Sequence, residues 1–256
     1  MLSNSFLHIP GVGPKTEQRI WDCGVTSWSD FLADPCAAGL SAAAAARITR
    51  AAAESLERLE RRDHRFFAAG LARREHWRAY PEFSDRIAYL DIETTSLEGD
   101  DVTLIGLYDG RDVRVYQKGR DLEEFREDIH QYGLIVTFFG TCFDVPFLCR
   151  RFPDLTFDHL HIDLCHALRR LGHTGGLKNI EHRLGINRSP ETEGLDGWDA
   201  VRLWREWERG SQEALDLLLA YNKEDVRNME LLLTYAYPRL RERTGFPAVT
   251  RQFDVA

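Results

Sequence analysis

Ala88-Tyr89-Leu90-Asp91-Ile92-Glu93-Thr94-Thr95 closes an apolar run on two acids. Arg86–Leu90 is mostly apolar, with β-branched and aromatic members, and reads as a buried strand. On a strand, residues i and i+2 share a face, so Asp91 and Glu93 stand side by side. Two adjacent carboxylates repel each other unless something positive lies between them. A hard divalent cation such as Mg²⁺ or Mn²⁺, which takes oxygen ligands, is the simplest such partner. The plainer alternative is an acidic strand end at the surface.

Further acids bear on that choice. Leu134–Phe139 is a second apolar, strand-like run, followed by Gly140-Thr141-Cys142-Phe143-Asp144-Val145-Pro146-Phe147-Leu148. Asp144 stands where a helix should begin, with Pro146 near its first turn; a plain helix cap is the alternative there. Leu215–Leu233 has apolar residues at helical spacing and carries Tyr221 and Asp225, four apart and on one face. An ordinary surface face would also produce that pair.

Three motifs, in this order and spacing, resemble the DEDD exonuclease superfamily, the ribonuclease H-like 3′–5′ exonucleases. They are Asp91-x-Glu93-Thr94-Thr95, then Phe143-Asp144 with Pro146-Phe147-Leu148, then Tyr221-Asn222-x-x-Asp225-Val226. The third motif looks like that of the tyrosine-containing subgroup. The resemblance covers roughly residues 85–235. Phe139-Gly140 stands where relatives often have Asn-Gly, and Ser96 replaces a common Gly; both departures concern contacts to the substrate strand.

The resemblance implies an α/β fold, a ribonuclease H-like mixed sheet flanked by helices. It implies that Asp91, Glu93, Asp144 and Asp225 hold two ions, Mg²⁺ or Mn²⁺, about 4 Å apart. Tyr221 would then orient the attacking water, because a phenol of reference pKa near 10 is a poor base at neutral pH. Thr94, Leu97 and Lys178 become candidates for nucleic-acid contact, Leu97 against the 3′-terminal base and Lys178 at a phosphate. The expected substrate is a single-stranded 3′ end, DNA or RNA. Two other readings stay open: a non-catalytic nucleic-acid-binding protein on the same scaffold, and a structure-selective endonuclease.

At 256 residues, 43% of them hydrophobic, the chain suits one medium domain plus a small one. No stretch approaches the roughly 20 apolar residues of a membrane span. Met1-Leu2-Ser3-Asn4-Ser5 lacks the features of a signal peptide. Five scattered cysteines without Cys-x-x-Cys suggest a reducing, cytoplasmic setting. A net charge of −8 argues against a protein that coats nucleic acid, but not against a nuclease with an acidic metal site.

The charge is uneven. Residues 1–80 hold 11 Lys+Arg against 9 Asp+Glu, and the remainder 22 against 32. The shift supports a boundary near Tyr80-Pro81. The expected division is a helical domain over 1–60, a basic helical linker over 61–82, the ribonuclease H-like domain over 83–241 and a tail over 242–256.

In the first segment, Gly11-Val12-Gly13-Pro14 opens a helical stretch and resembles a helix-hairpin-helix element. That resemblance implies phosphate contact through Gly11, Gly13 and the helix start, to which Lys15 could add charge. A purely packing role is the alternative. Arg58, Arg61, Arg62 and Arg65 share one helix face, and Arg73, Arg74 and Arg78 follow. They could track a phosphate backbone or form a solvated face paired with Glu54, Glu57 and Glu60. His159, His161, Asp163, Cys165 and His166 are zinc-ligand types without the usual spacing; Asp163 could instead support the active site. Ser189–Trp198, polar and Gly-containing, reads as a mobile loop.

Overall fold

A computed structural model describes residues 1–96 and 101–247. The first part is helical: α1 (Pro14–Asp22), α2 (Trp28–Ala33), α3 (Ala42–Glu60), α4 (His64–Gly70), a 3₁₀ segment Arg73–Ala79 and the short α5 (Tyr80–Phe83). The Ala-rich stretch runs on to Glu60, because Ala, Leu, Arg and Glu all favour helix. Ahead of the Gly11 turn stands only one 3₁₀ turn, Leu2–Asn4.

The second part is built on a five-stranded sheet. Its strands are β1 (Ile87–Thr94), β2 (Val102–Tyr108), β3 (Val113–Gln117), β4 (Leu134–Thr137) and β5 (Leu160–Asp163). The spatial order is β3-β2-β1-β4-β5. β1 pairs antiparallel with β2 and parallel with β4, so the sheet is mixed, as expected. The helices are α6 (Phe125–Asp128), α7 (Asp144–Arg151), α8 (Leu164–Arg170), α9 (Leu177–Arg183), α10 (Gly197–Glu208) and α11 (Gln212–Arg243).

Both faces of the sheet are covered. Tyr89, Leu134, Val136, Leu160 and Ile162 pack in one apolar cluster with Met229, Leu233 and Leu240 of α11. The same cluster contains Phe6, Ile20, Trp28, Ile48 and Phe67, so the helical segment and the sheet share a core. Leu90, Ile105, Phe125, Ile135 and Leu148 form a second cluster on the opposite face. A third joins Leu104 to Leu203 and Trp204 of α10 and to Leu218 and Tyr221 of α11.

Polar groups fasten the helical segment to the rest. Glu17, buried in α1, accepts from Ser5 Oγ and the Phe6 N–H at 2.8 Å each and pairs with Arg78 at 3.1 Å. His76 Nδ1 accepts the His161 N–H at 2.9 Å, which satisfies a donor on the outer edge of β5. The expected Arg stripe proves to be consumed by ion pairs. Arg58 meets Glu54 and Asp63, Arg61 meets Glu57, Arg62 meets Asp85, and Arg65 meets Asp158.

Candidate active site

β1 ends at the centre of the sheet with Asp91 and Glu93 on one face, and α11 crosses that face. Asp91 lies opposite Gly106 in the antiparallel ladder with β2, and Glu93 opposite Leu104. The register shifts between Glu93 and Thr94. Gly106 leaves room for α11 to come close. A Cβ there would stand 2.1 Å from Asn222 Oδ1 and 3.1 Å from Val226 Cγ1. Through that gap Asn222 Nδ2 donates to Asp91 Oδ2 at 3.0 Å. An isolated Gly inside an apolar strand is the sequence signal for such an approach.

One oxygen each from Asp91, Glu93 and Asp225 lie within 4.8 Å of one another. Among the described residues this is the one group of three or more such side chains close enough to share an ion. Glu93 Oε1 is buried and has no hydrogen-bond donor. Burial raises the pKa of all three carboxyls, and mutual repulsion adds to the rise at Asp91 and Glu93. At Asp225 the nearby Arg188 and Lys178 oppose the rise. An oxygen-lined, electron-rich pocket with an unsatisfied carboxylate oxygen fits a hard divalent cation.

Asp144, the fourth acid, belongs to the same neighbourhood but lies outside that tight trio. It is the first residue of α7, and its side chain does not cap that helix. Its Oδ1 instead accepts the Ile92 N–H at 3.1 Å, tying α7 to β1 between the two acids. Burial pushes its carboxyl up to about 7. The turn before it is held by Asp163, which accepts the Phe139 N–H at 2.9 Å and the Thr141 N–H at 3.1 Å. That grip ends β4 at Thr137 and puts Phe139 at φ 66°, where an aromatic residue is strained.

Tyr221 is buried one turn before Asp225, and Lys178 of α9 donates to its hydroxyl. The same ammonium sits 4.1 Å from the ring centroid. Burial, then the charges of Asp225, Glu93 and Asp91, drive the phenol pKa upward, so the hydroxyl keeps its proton. Arg188, invisible to motif reading because it comes from the loop after α9, is buried here. It donates to both oxygens of Glu181, at 2.6 and 2.9 Å, and to Asp225 Oδ1. Ser189 N and Thr192 Oγ1 both donate to Glu224 of α11. The segment expected to be a mobile loop is therefore pinned beside the site, and α10 begins within its last residues, at Gly197, with a capping box from Asp196 and Asp199.

The remaining candidates are scattered. Thr94 is buried, and its hydroxyl donates to the Ser96 carbonyl at 2.7 Å. Leu97 lies outside the described residues. Gly11, Gly13 and Lys15 are exposed at the start of α1, with Gly11 at φ 80°. The histidines serve packing and hydrogen bonding. His159 stacks on His64 and contacts the Ile129 carbonyl, while His161 contacts Thr137.

A comparison with curated proteins finds no match. Among solved structures, the chain resembles the family B DNA polymerase from the hyperthermophilic archaeon Pyrobaculum calidifontis with a TM-score of 0.49 and 18% identity. That alignment covers 60% of this chain and 25% of the polymerase, so the chain spans about a quarter of that protein's length. Residues 88–237 match the family defined as the RNase H superfamily. This stretch takes in every strand of the sheet but the first residue of β1, together with all the acids of the site, and the chain belongs to the RNase H superfamily.

Proposed function

We propose that the chain is a divalent-metal-dependent 3′–5′ exonuclease of the DEDD type, with Tyr221 in the third motif, acting on single-stranded nucleic-acid ends. The observation that carries this reading is the cluster of Asp91, Glu93 and Asp225 oxygens within 4.8 Å around a carboxylate oxygen without a donor. No helix among the described residues is long and apolar enough to cross a membrane.

Asp91, Glu93 and Asp225, with Asp144 beside them, would hold Mg²⁺ or Mn²⁺. Ions in such a site supply activation of a water and charge stabilisation at the leaving 3′ oxygen. The chain's own residues do the rest. Lys178 fills the acceptor side of the Tyr221 oxygen, so the phenolic proton is free to be donated. With its pKa raised, Tyr221 orients by hydrogen bonding rather than abstracting a proton. Asn222 fixes the orientation of Asp91, and Arg188, anchored on Glu181, fixes that of Asp225. The exposed Gly11–Lys15 turn is a further candidate for phosphate contact.

One observation favours a binding-only reading: Arg188 already compensates Asp225. Digestion of end-labelled single strands, DNA and RNA, separates the two. The exonuclease reading expects mononucleotides from the 3′ end, stopped by EDTA and restored by Mg²⁺ or Mn²⁺. Internal fragments would indicate an endonuclease, and undegraded strands a binding protein.

A further inference from the structure

A cleft of about 310 Å³ opens where the Arg73–Ala79 segment meets β5 and α8. That volume lies at the lower end of what holds a small organic ligand. Trp77 and Ile162 are buried in its lining, while Arg73, Arg74, His166 and Arg170 stand exposed around it. The Trp77 indole N–H has no acceptor, although the residue is 2% exposed.

The positive charge here is in surplus. Arg78, the neighbouring arginine, is matched by Glu17 at 3.1 Å and by Glu75 at 2.8 Å. Glu75 is then left to serve Arg170 at 3.5 Å and Arg74 at 3.8 Å. Arg73 makes no ion pair among the described residues. Asp163, the one acid in the lining, already accepts the N–H groups of Phe139, Thr141 and Cys165. This contrasts with Arg58, Arg61, Arg62 and Arg65, whose acids are all at hand. The cleft is also preformed, because Arg170 donates to the Arg74 carbonyl at 2.7 Å and His76 receives the His161 N–H.

Position decides what the cleft takes. Thr141 lines it, and the same turn leads within three residues to Asp144 of the carboxylate site. We propose that the cleft between the Arg73–Ala79 segment and α8 binds one nucleotide unit of the substrate strand, its base on the apolar floor and its phosphates on Arg73, Arg74 and Arg170. The inference rests on the nuclease reading of the carboxylate site. It assigns the helical N-terminal part a share in substrate binding through its last turn. Flat apolar contact with phosphate contacts beside it suits any base, so the site is sequence-tolerant.

The test is anisotropy of fluorescent single-stranded ten-mers, one DNA and one RNA, with the full chain in EDTA across a salt series. Arg73→Gln/Arg74→Gln should weaken binding about tenfold and lower the slope of log affinity against log salt by about 1.4. Arg73→Lys/Arg74→Lys should keep most of both, and the melting temperature should not move, since both side chains are exposed. Unchanged affinity and slope in the Gln variant would overturn the proposal, as would equal losses in the Lys variant. Binding that weakens as stated in a chain that never cleaves leaves the cleft standing and removes the nuclease reading. Cleavage with binding indifferent to the two arginines does the reverse.

Discussion

Gly106→Ala adds one methyl to β2, opposite Asp91 and under α11. The new Cβ would lie 2.1 Å from Asn222 Oδ1 and 2.9 Å from Asn222 Cγ, well inside contact distance. Either the amide swings away or the helix withdraws, and both break the 3.0 Å donation to Asp91. Forcing a methyl into a packed interior costs about 1–3 kcal/mol. Loss of a hydrogen bond to a carboxylate adds about 1.5–3 kcal/mol. Together they give a destabilisation of about 2.5–6 kcal/mol, readable by urea unfolding on the six tryptophans. Adding Asn222→Ala clears the clash but not the lost hydrogen bond, so the double variant should be more stable than Gly106→Ala alone by about 1–3 kcal/mol. A Gly106→Ala protein within about 0.5 kcal/mol of wild type, the ordinary surface range, would refute the close approach. So would a double variant in which the two losses simply add.

Tyr221→Phe should slow single-turnover cleavage by about 10²–10⁴-fold with little change in Mn²⁺ affinity, and a rate within about twofold of wild type would remove the orienting role. Arg188→Met leaves Glu181 and Asp225 as buried charges without a partner and should cost about 3–5 kcal/mol in urea unfolding, whereas an exposed pair would cost under about 1. The metal-free protein should also respond to pH. The Asp144 carboxyl is held at about 7, above its ordinary value of 3.8, so the folded state binds the proton more tightly. Stability in EDTA is then full below about pH 4 as far as this group is concerned and falls as pH rises through about 7. A urea midpoint that rises between pH 5 and pH 7.5 would contradict the assignment.

What sequence could show followed from short-range periodicity. The β1 run, its two acids and the α11 pair of Tyr221 and Asp225 lie on regular elements, where spacing alone fixes the face. Element ends were less legible, because tertiary contacts set them. The expected Leu134–Phe139 strand stops at Thr137 once Asp163, from β5, takes the Phe139 N–H. Between β3 and β4 the chain forms a 3₁₀ turn, α6 and another 3₁₀ turn instead of one continuous helix. Asp144 suits a cap by position, yet its side chain serves Ile92, fifty-two residues away. Arg188 left no local trace, since its partners lie seven residues back and thirty-seven residues on. The expected Arg stripe does not share one helix, because α3 ends at Glu60, Arg62 turns at φ 55° and Arg65 belongs to α4; nor could it be weighed without Asp85 and Asp158, which pair with Arg62 and Arg65.

The most direct test is a crystal structure of the full chain soaked in Mn²⁺, with anomalous scattering recorded at the manganese edge. A peak is expected among the oxygens of Asp91, Glu93 and Asp225, absent in Asp91→Ala. Manganese bound elsewhere, with Arg188 still closing Asp225 and no density among the three carboxylates, would contradict it.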